Sequence, residues 1–133
     1  MIKTLIAILI VAPIYCDAQA PKGANTIIIT NITGEQAVQI FRDHGYTVTS
    51  SGYGIITTIP KKSPADITIA FTLEIKDSTG YLRGTYDGKE IVPELWEHTE
   101  SAAGHYKGGS FKIMDSLARS FGQHIYYTGI KKR

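Results

Sequence analysis

The sequence predicts an α+β domain of two layers, with helices gathered on one face of an antiparallel sheet. Three observations carry that expectation. Ile67, Ile69, Phe71, Leu73 and Ile75 alternate without a fault with Thr68, Ala70, Thr72, Glu74 and Lys76, the period of a strand with one buried and one wet face. Phe111, Met114, Leu117, Ala118, Phe121 and Ile125 recur at spacings that draw one apolar stripe along a helix, opposed by Lys112, Asp115, Arg119 and Gln123. Ahead of both, Tyr46 to Thr49 and Gly54 to Pro60 are short β-branched runs bracketed by turn formers, the pattern of consecutive strands.

In chain order, Met1 to Ala20 reads as a secretory signal peptide: Lys3, an apolar run from Leu5 extended through Tyr15, then Asp17-Ala18-Gln19-Ala20. Cleavage after Ala18 and after Ala20 both fit. The domain proper is then expected over 21–133, with its ordered core at 24–127. Asn25 to Ile32, with three successive isoleucines, predicts the first strand. Thr33-Gly34-Glu35-Gln36 has the spacing of a capping box, and Ala37, Val38, Ile40 and Phe41 mark the buried side of a short helix ended by Gly45. Tyr46 to Thr49 and Gly54 to Pro60 predict two strands, followed by a loop from Lys61 to Pro64. The strand Ile67 to Ile75 turns at Asp77-Ser78-Thr79-Gly80 and returns as Tyr81 to Tyr86, which Asp87-Gly88 ends. Lys89 to Gly109 shows no sustained period and predicts a long loop. Ser110 is expected to cap the second helix, and Tyr126 to Arg133 to add a short extended segment. The order is strand, helix, four strands, helix.

Composition narrows the function classes. With 133 residues, 14 Lys plus Arg against 12 Asp plus Glu, 43% hydrophobic and 20% charged residues, the chain suits one globular domain and not a disordered tail or a polyanion-coating protein. The apolar run near the N-terminus is about half the roughly 20 residues a span needs, so no membrane span is expected. Cys16, the one cysteine, follows Tyr15 where a lipid-modified cysteine needs a small residue, and it leaves with the signal peptide. Disulfides, thiolate metal sites and thiol nucleophiles are thereby excluded from the expected domain.

The order of elements, the Gly45-Tyr46-Thr47-Val48 and Gly54-Ile55-Ile56-Thr57-Thr58 segments, and Lys107-Gly108-Gly109-Ser110 opening the last helix resemble small exported bacterial domains of unknown function with a TATA-binding-protein-like fold. The resemblance covers roughly residues 24 to 127. It implies a fold and brings no activity with it.

No residue pattern predicts catalysis. Imidazole and carboxylate are the metal ligands left, and Glu94, Glu97, His98, Glu100 and His105 supply them, but His98 and His105 stand seven apart across Ala102-Ala103-Gly104 instead of at zincin spacing. The glycines before the last helix lack the lysine of a phosphate loop, and no elbow presents a serine nucleophile. His44 beside Gly45 fits a helix-end cation. No cofactor and no nucleic acid are expected: the acidic residues nearly cancel the basic ones that would face phosphates. What the alternation does predict is a flat, threonine-rich outer face bearing Thr68, Thr72, Glu74 and Arg83, with Trp96 and Tyr106 as aromatic anchors near it. Such a face suits a protein or envelope component. The expectation is therefore a non-catalytic binding module. A small metal-dependent or hydrolytic enzyme using residues 94–105, and an inhibitor or immunity protein of an exported enzyme, are the other readings.

Overall fold

The computed structural model describes residues 20–50, 52–62, 68–98 and 105–129, of which 50, 52, 96–98 and 105–107 are described by backbone alone. The β-branched run forms strand β1 (Thr26–Ile29). Thr33 then caps helix α1 (Gly34–Asp43): the Gln36 amide donates to Thr33 Oγ1 at 3.1 Å, and Ala37 and Phe41 turn into the core. A Schellman motif ends the helix. Gly45, at φ +84°, donates its N–H to the Arg42 carbonyl, Tyr46 donates to the Phe41 carbonyl, and the two rings meet edge to face at 6.4 Å.

The chain continues through β2 (Val48–Ser50), a tight turn at Gly52–Gly54, β3 (Ile55–Thr58), β4 (Lys61–Lys62), β5 (Thr68–Lys76), β6 (Thr79–Tyr86), β7 (Lys89–Glu90), β8 (Trp96–His98), β9 (His105–Lys107), helix α2 (Gly109–Arg119) and β10 (Ile125–Thr128). The main sheet runs β10-β1-β6-β5-β3-β2, with β4 added to β5 and β7 to β6, while β8 and β9 form a separate two-stranded sheet. Every pairing is antiparallel. The domain is α+β, mostly an antiparallel sheet, with two helices against it.

The layers follow from alternation. Ile27, Leu82, Leu73 and Ile56 are successive register partners across β1, β6, β5 and β3, and all four are buried. Phe41 from α1 and Phe111, Met114, Leu117 and Ala118 from α2 join them in one core. Phe71 stacks at 6.4 Å on Phe41 and meets Tyr46 edge-on at 5.2 Å, contacts worth about 0.5–1.5 kcal/mol each beyond the area they bury. Both helices thus cover the same side of the sheet. Among the described residues, no helix is long and apolar enough to cross a membrane.

Several sequence expectations need correction. Four strands between the helices is too few. Lys61 and Lys62, expected in a loop, pair with Ile69 and Thr68, a strand too short and too charged to show a pattern. The turn after β5 is only Asp77-Ser78, both at positive φ as a type I′ hairpin requires, so Thr79 and Gly80 belong to the ladder. Asp87-Gly88 repeats that turn and leads into β7 instead of ending the sheet. The stretch expected as a long loop contains three short strands, β7, β8 and β9. Gly108, at φ +82°, takes the N-cap of α2, and Ser110 is buried as the second residue of the helix. The helix ends at Arg119 because Gly122, at φ +72°, turns the chain; Ile125 therefore belongs to β10 and exposed His124 to the connection before it. The signal-peptide reading of residues 1–19, Glu100 and the basic tail 131–133 lie outside the described residues.

Candidate functional site

The side of the sheet away from the helices is dented, and a change of register makes the dent. Thr57 of β3 faces Thr72 of β5, whereas Lys61 of β4 faces Ile69. From Thr72 back to Ile69 is three residues; from Thr57 on to Lys61 is four. The extra residue is a bulge between β3 and β4, and there the Phe71 amide donates to the Thr58 hydroxyl at 2.9 Å in place of a ladder carbonyl. Beside it Ala70 offers only a methyl group between taller neighbours. The result is a depression of about 240 Å³ lined by Thr57, Ala70, Thr72, Arg83, Thr85 and Glu90.

Its charged groups are held from behind. Arg83 Nε donates to Thr26 Oγ1 at 3.1 Å, Thr26 Oγ1 donates to Asn25 Oδ1 at 2.9 Å, and Asn25 Nδ2 donates to Glu90 Oε1 at 2.9 Å. Thr26 and Asn25 are buried. Every donor in this chain points from the cation toward the anion, so each bond strengthens the next. Arg83 and Glu90 are joined through two intermediaries and form no ion pair with each other. The Nη donors of Arg83 and Oε2 of Glu90 have no partner among the described residues.

The six residues expected on the binding face separate here. Thr72 and Arg83 are register partners in the depression. Glu74 stands on the same side but two residues along β5, where its carboxylate holds Lys76 Nζ at 2.9 Å. That hydrogen bond and charge raise the Lys76 pKa. Thr68 lies at the opposite end of β5, its amide donating to Asp87 Oδ1 at 2.9 Å. Trp96 and Tyr106 belong to the separate β8–β9 sheet. Ala70 and Thr85, register partners expected on the outward face, also line the depression, whereas Thr57, Glu90 and the Thr26–Asn25 support went unpredicted. The Asp87-Gly88 dipeptide, a strong type I′ signal, is the cue that would have carried the reading on to Glu90.

The metal candidates are arranged differently from their linear spacing. His98 and His105 are direct register partners of β8 and β9, while Glu97 faces Tyr106 one position along. Alternation puts positions 97 and 98 on opposite faces of that ribbon. Glu94 is engaged elsewhere, both carboxylate oxygens accepting from the Gly23 amide at 2.9 and 3.0 Å. Among the described residues, no group of three His, Cys, Asp or Glu gathers as metal ligands would. His44 occupies the end of α1, with Nδ1 2.9 Å from the Ile40 carbonyl.

Two other polar or concave features differ in kind. Tyr127 OH donates to Asp115 Oδ1 at 2.6 Å and accepts from Arg119 Nη2 at 3.1 Å, tying β10 to α2; burial and the Asp115 carboxylate push its hydroxyl up to about 12. A groove of about 490 Å³ runs between α1 and β3 over Val38, Ile56 and Ile75. Its charged groups, Glu35 and Arg42, stand on the exposed side of α1 without a buried support. The depression at the bulge combines fixed charges with a concave floor, and for that reason it is the candidate site. The chain matches no protein-family model and no curated protein.

Proposed function

We propose that this chain is an exported, non-catalytic binding module whose uncovered sheet face, centred on the Arg83 depression, takes up a protein or envelope component. One observation carries the reading: a guanidinium oriented by a buried hydrogen-bond chain opens onto a dent in the side of the sheet that neither helix covers. A TATA-binding-protein-like arrangement is part of the proposal. The order β1-β6-β5-β3-β2, with one helix after β1 and one after the strands, supports it. An inhibitor or immunity protein would use the same face on an exported enzyme.

Ala70→Leu tests the reading, because it fills the floor without touching the polar chain. The variant should fold as wild type by circular dichroism and lose capture of ligands from envelope extract, while Ile113→Gln, exposed on α2, keeps it. Equal capture by wild type and Ala70→Leu would refute the proposal. The register pairing of His98 with His105 favours a second reading, metal binding in the β8–β9 ribbon. Zinc added to protein without a histidine tag should then raise the melting temperature, and His98→Ala should abolish the rise.

A further inference from the structure

We infer that the depression binds a small zwitterion, a free α-amino acid or a compound of the same charge pattern, with its carboxylate on Arg83 and its ammonium on Glu90. The inference rests on the reading of the open sheet face as a binding surface and specifies its ligand.

The register places the two charges. Glu90 faces Thr85, and Arg83 lies two residues before Thr85 on the same side of β6, so the pair is diagonal across the β6–β7 ladder, roughly 7–8 Å apart at Cα. Residues so placed commonly bridge directly. Here each gives one atom, Nε and Oε1, to the buried Thr26–Asn25 link, and that link holds them apart. What remains facing the dent is a guanidinium edge with its Nη donors and one carboxylate oxygen. A ligand carrying only an anion would gain Arg83 and meet the repulsion of Glu90. A cation would meet the reverse. A molecule that presents both charges satisfies both, and its desolvation is repaid at two charge-assisted bonds.

Size and surroundings agree. At roughly 30 Å³ per water, about 240 Å³ holds some eight waters, room for one amino acid within the dent. The Thr72 and Thr85 hydroxyls offer further donors and acceptors, Thr57 Oγ1 being bonded to Thr49 Oγ1 at 2.6 Å, and the Ala70 methyl leaves space for a small side chain. Glu74 and Lys76, on the same face, are paired with each other.

Chemical-shift titration of the full chain with glycine, L-alanine, acetate and methylammonium, each alone, tests the inference. Glycine and L-alanine should shift the amides of Ala70, Thr72, Arg83, Thr85 and Glu90, with acetate and methylammonium at least about tenfold weaker. Arg83→Gln and Glu90→Gln should each weaken glycine about tenfold or more, the latter with unchanged folding because glutamine keeps an oxygen for Asn25. Ala70→Leu should block glycine sterically with both charges intact. Acetate binding as tightly as glycine, or unaffected glycine binding in Glu90→Gln, would overturn the zwitterion and leave the open-face proposal standing. No shift with any probe would also overturn it, and capture by wild type against Ala70→Leu would then decide the broader proposal separately.

Discussion

Thr58→Val removes a single hydroxyl at the point on which the bulge depends. Thr58 is 5% exposed, and its Oγ1 accepts the Phe71 amide at 2.9 Å where β3 has no carbonyl in register to offer. Valine keeps the shape, so its cost is that of a buried N–H without an acceptor, about 1–3 kcal/mol. Thr58→Ser makes the opposite change, keeping the acceptor and losing one methyl, for about 0.8 kcal/mol. In a domain of this size 1 kcal/mol moves the melting temperature by roughly 4 °C, so valine should lower it by about 4–12 °C and serine by about 3 °C. Urea unfolding gives the energies, and amide hydrogen exchange identifies the bond: Phe71 should exchange faster in Thr58→Val and stay protected in Thr58→Ser. If Phe71 keeps its protection in the valine variant, Thr58 does not hold that amide and the account of the bulge is wrong.

Three further outcomes follow from the same geometry. Gly84→Ala gains about 0.4–1 kcal/mol by restricting the unfolded chain, but its Cβ would meet Ile91 Cδ1 at 2.8 Å and Phe71 Cδ1 at 3.0 Å, an overpacking cost of about 1–3 kcal/mol. Chemical denaturation should show a net loss, and Ile91→Val in the same chain should cost less than the two changes summed. Ser78→Gly relieves a non-glycine residue at φ +63° in a type I′ turn and should raise stability by about 0.5–1 kcal/mol; a loss would contradict the turn. Tyr127 keeps its proton in the folded protein to about pH 12, against 10.0 for the free group, so the stability it contributes is whole below pH 10 and is lost as pH rises through 12. Tyr127→Phe should remove one late-ionising tyrosine from the phenolate absorbance titration and flatten the alkaline fall in stability.

The parts of this fold that the sequence makes legible are those a single element states alone. The alternation about Phe71, the Thr33 cap and the Gly45 stop each depend on neighbours within a few residues, and each forms where its pattern lies. Thr72 and Arg83 were predictable as outward residues for the same reason. The depression is another matter, since Asn25, Thr57, Ala70, Arg83 and Glu90 come from five separate segments. What brings them together is one inserted residue between Thr57 and Lys61 and two tight turns. No periodicity announces such a bulge, because one extra residue in a short strand reads as the strand's end. The His98–His105 pairing was hidden similarly: seven residues apart along the chain says nothing until a hairpin makes them partners.

The location of Glu90 is decided on the other side of the sheet. Ile91 is fully buried, and its methyl lies over Gly84, whose missing side chain leaves the room for it. Its amide donates to the Gly84 carbonyl at 3.0 Å, which continues the β6–β7 register past Thr85 and Glu90. With Ile91 turned toward the helices, alternation requires Glu90 to face outward beside Thr85. A core contact of an isoleucine with a glycine therefore places the carboxylate of the depression. It follows that Gly84→Ala should act twice, lowering stability and displacing Glu90 from Asn25, whereas Ser78→Gly, in a turn remote from β7, should act on stability alone. Chemical shifts of Asn25 and Glu90 distinguish the two: both should move in Gly84→Ala and neither in Ser78→Gly. Unmoved shifts in Gly84→Ala would mean that the Asn25 bond, and not the packing of Ile91, holds Glu90 in place.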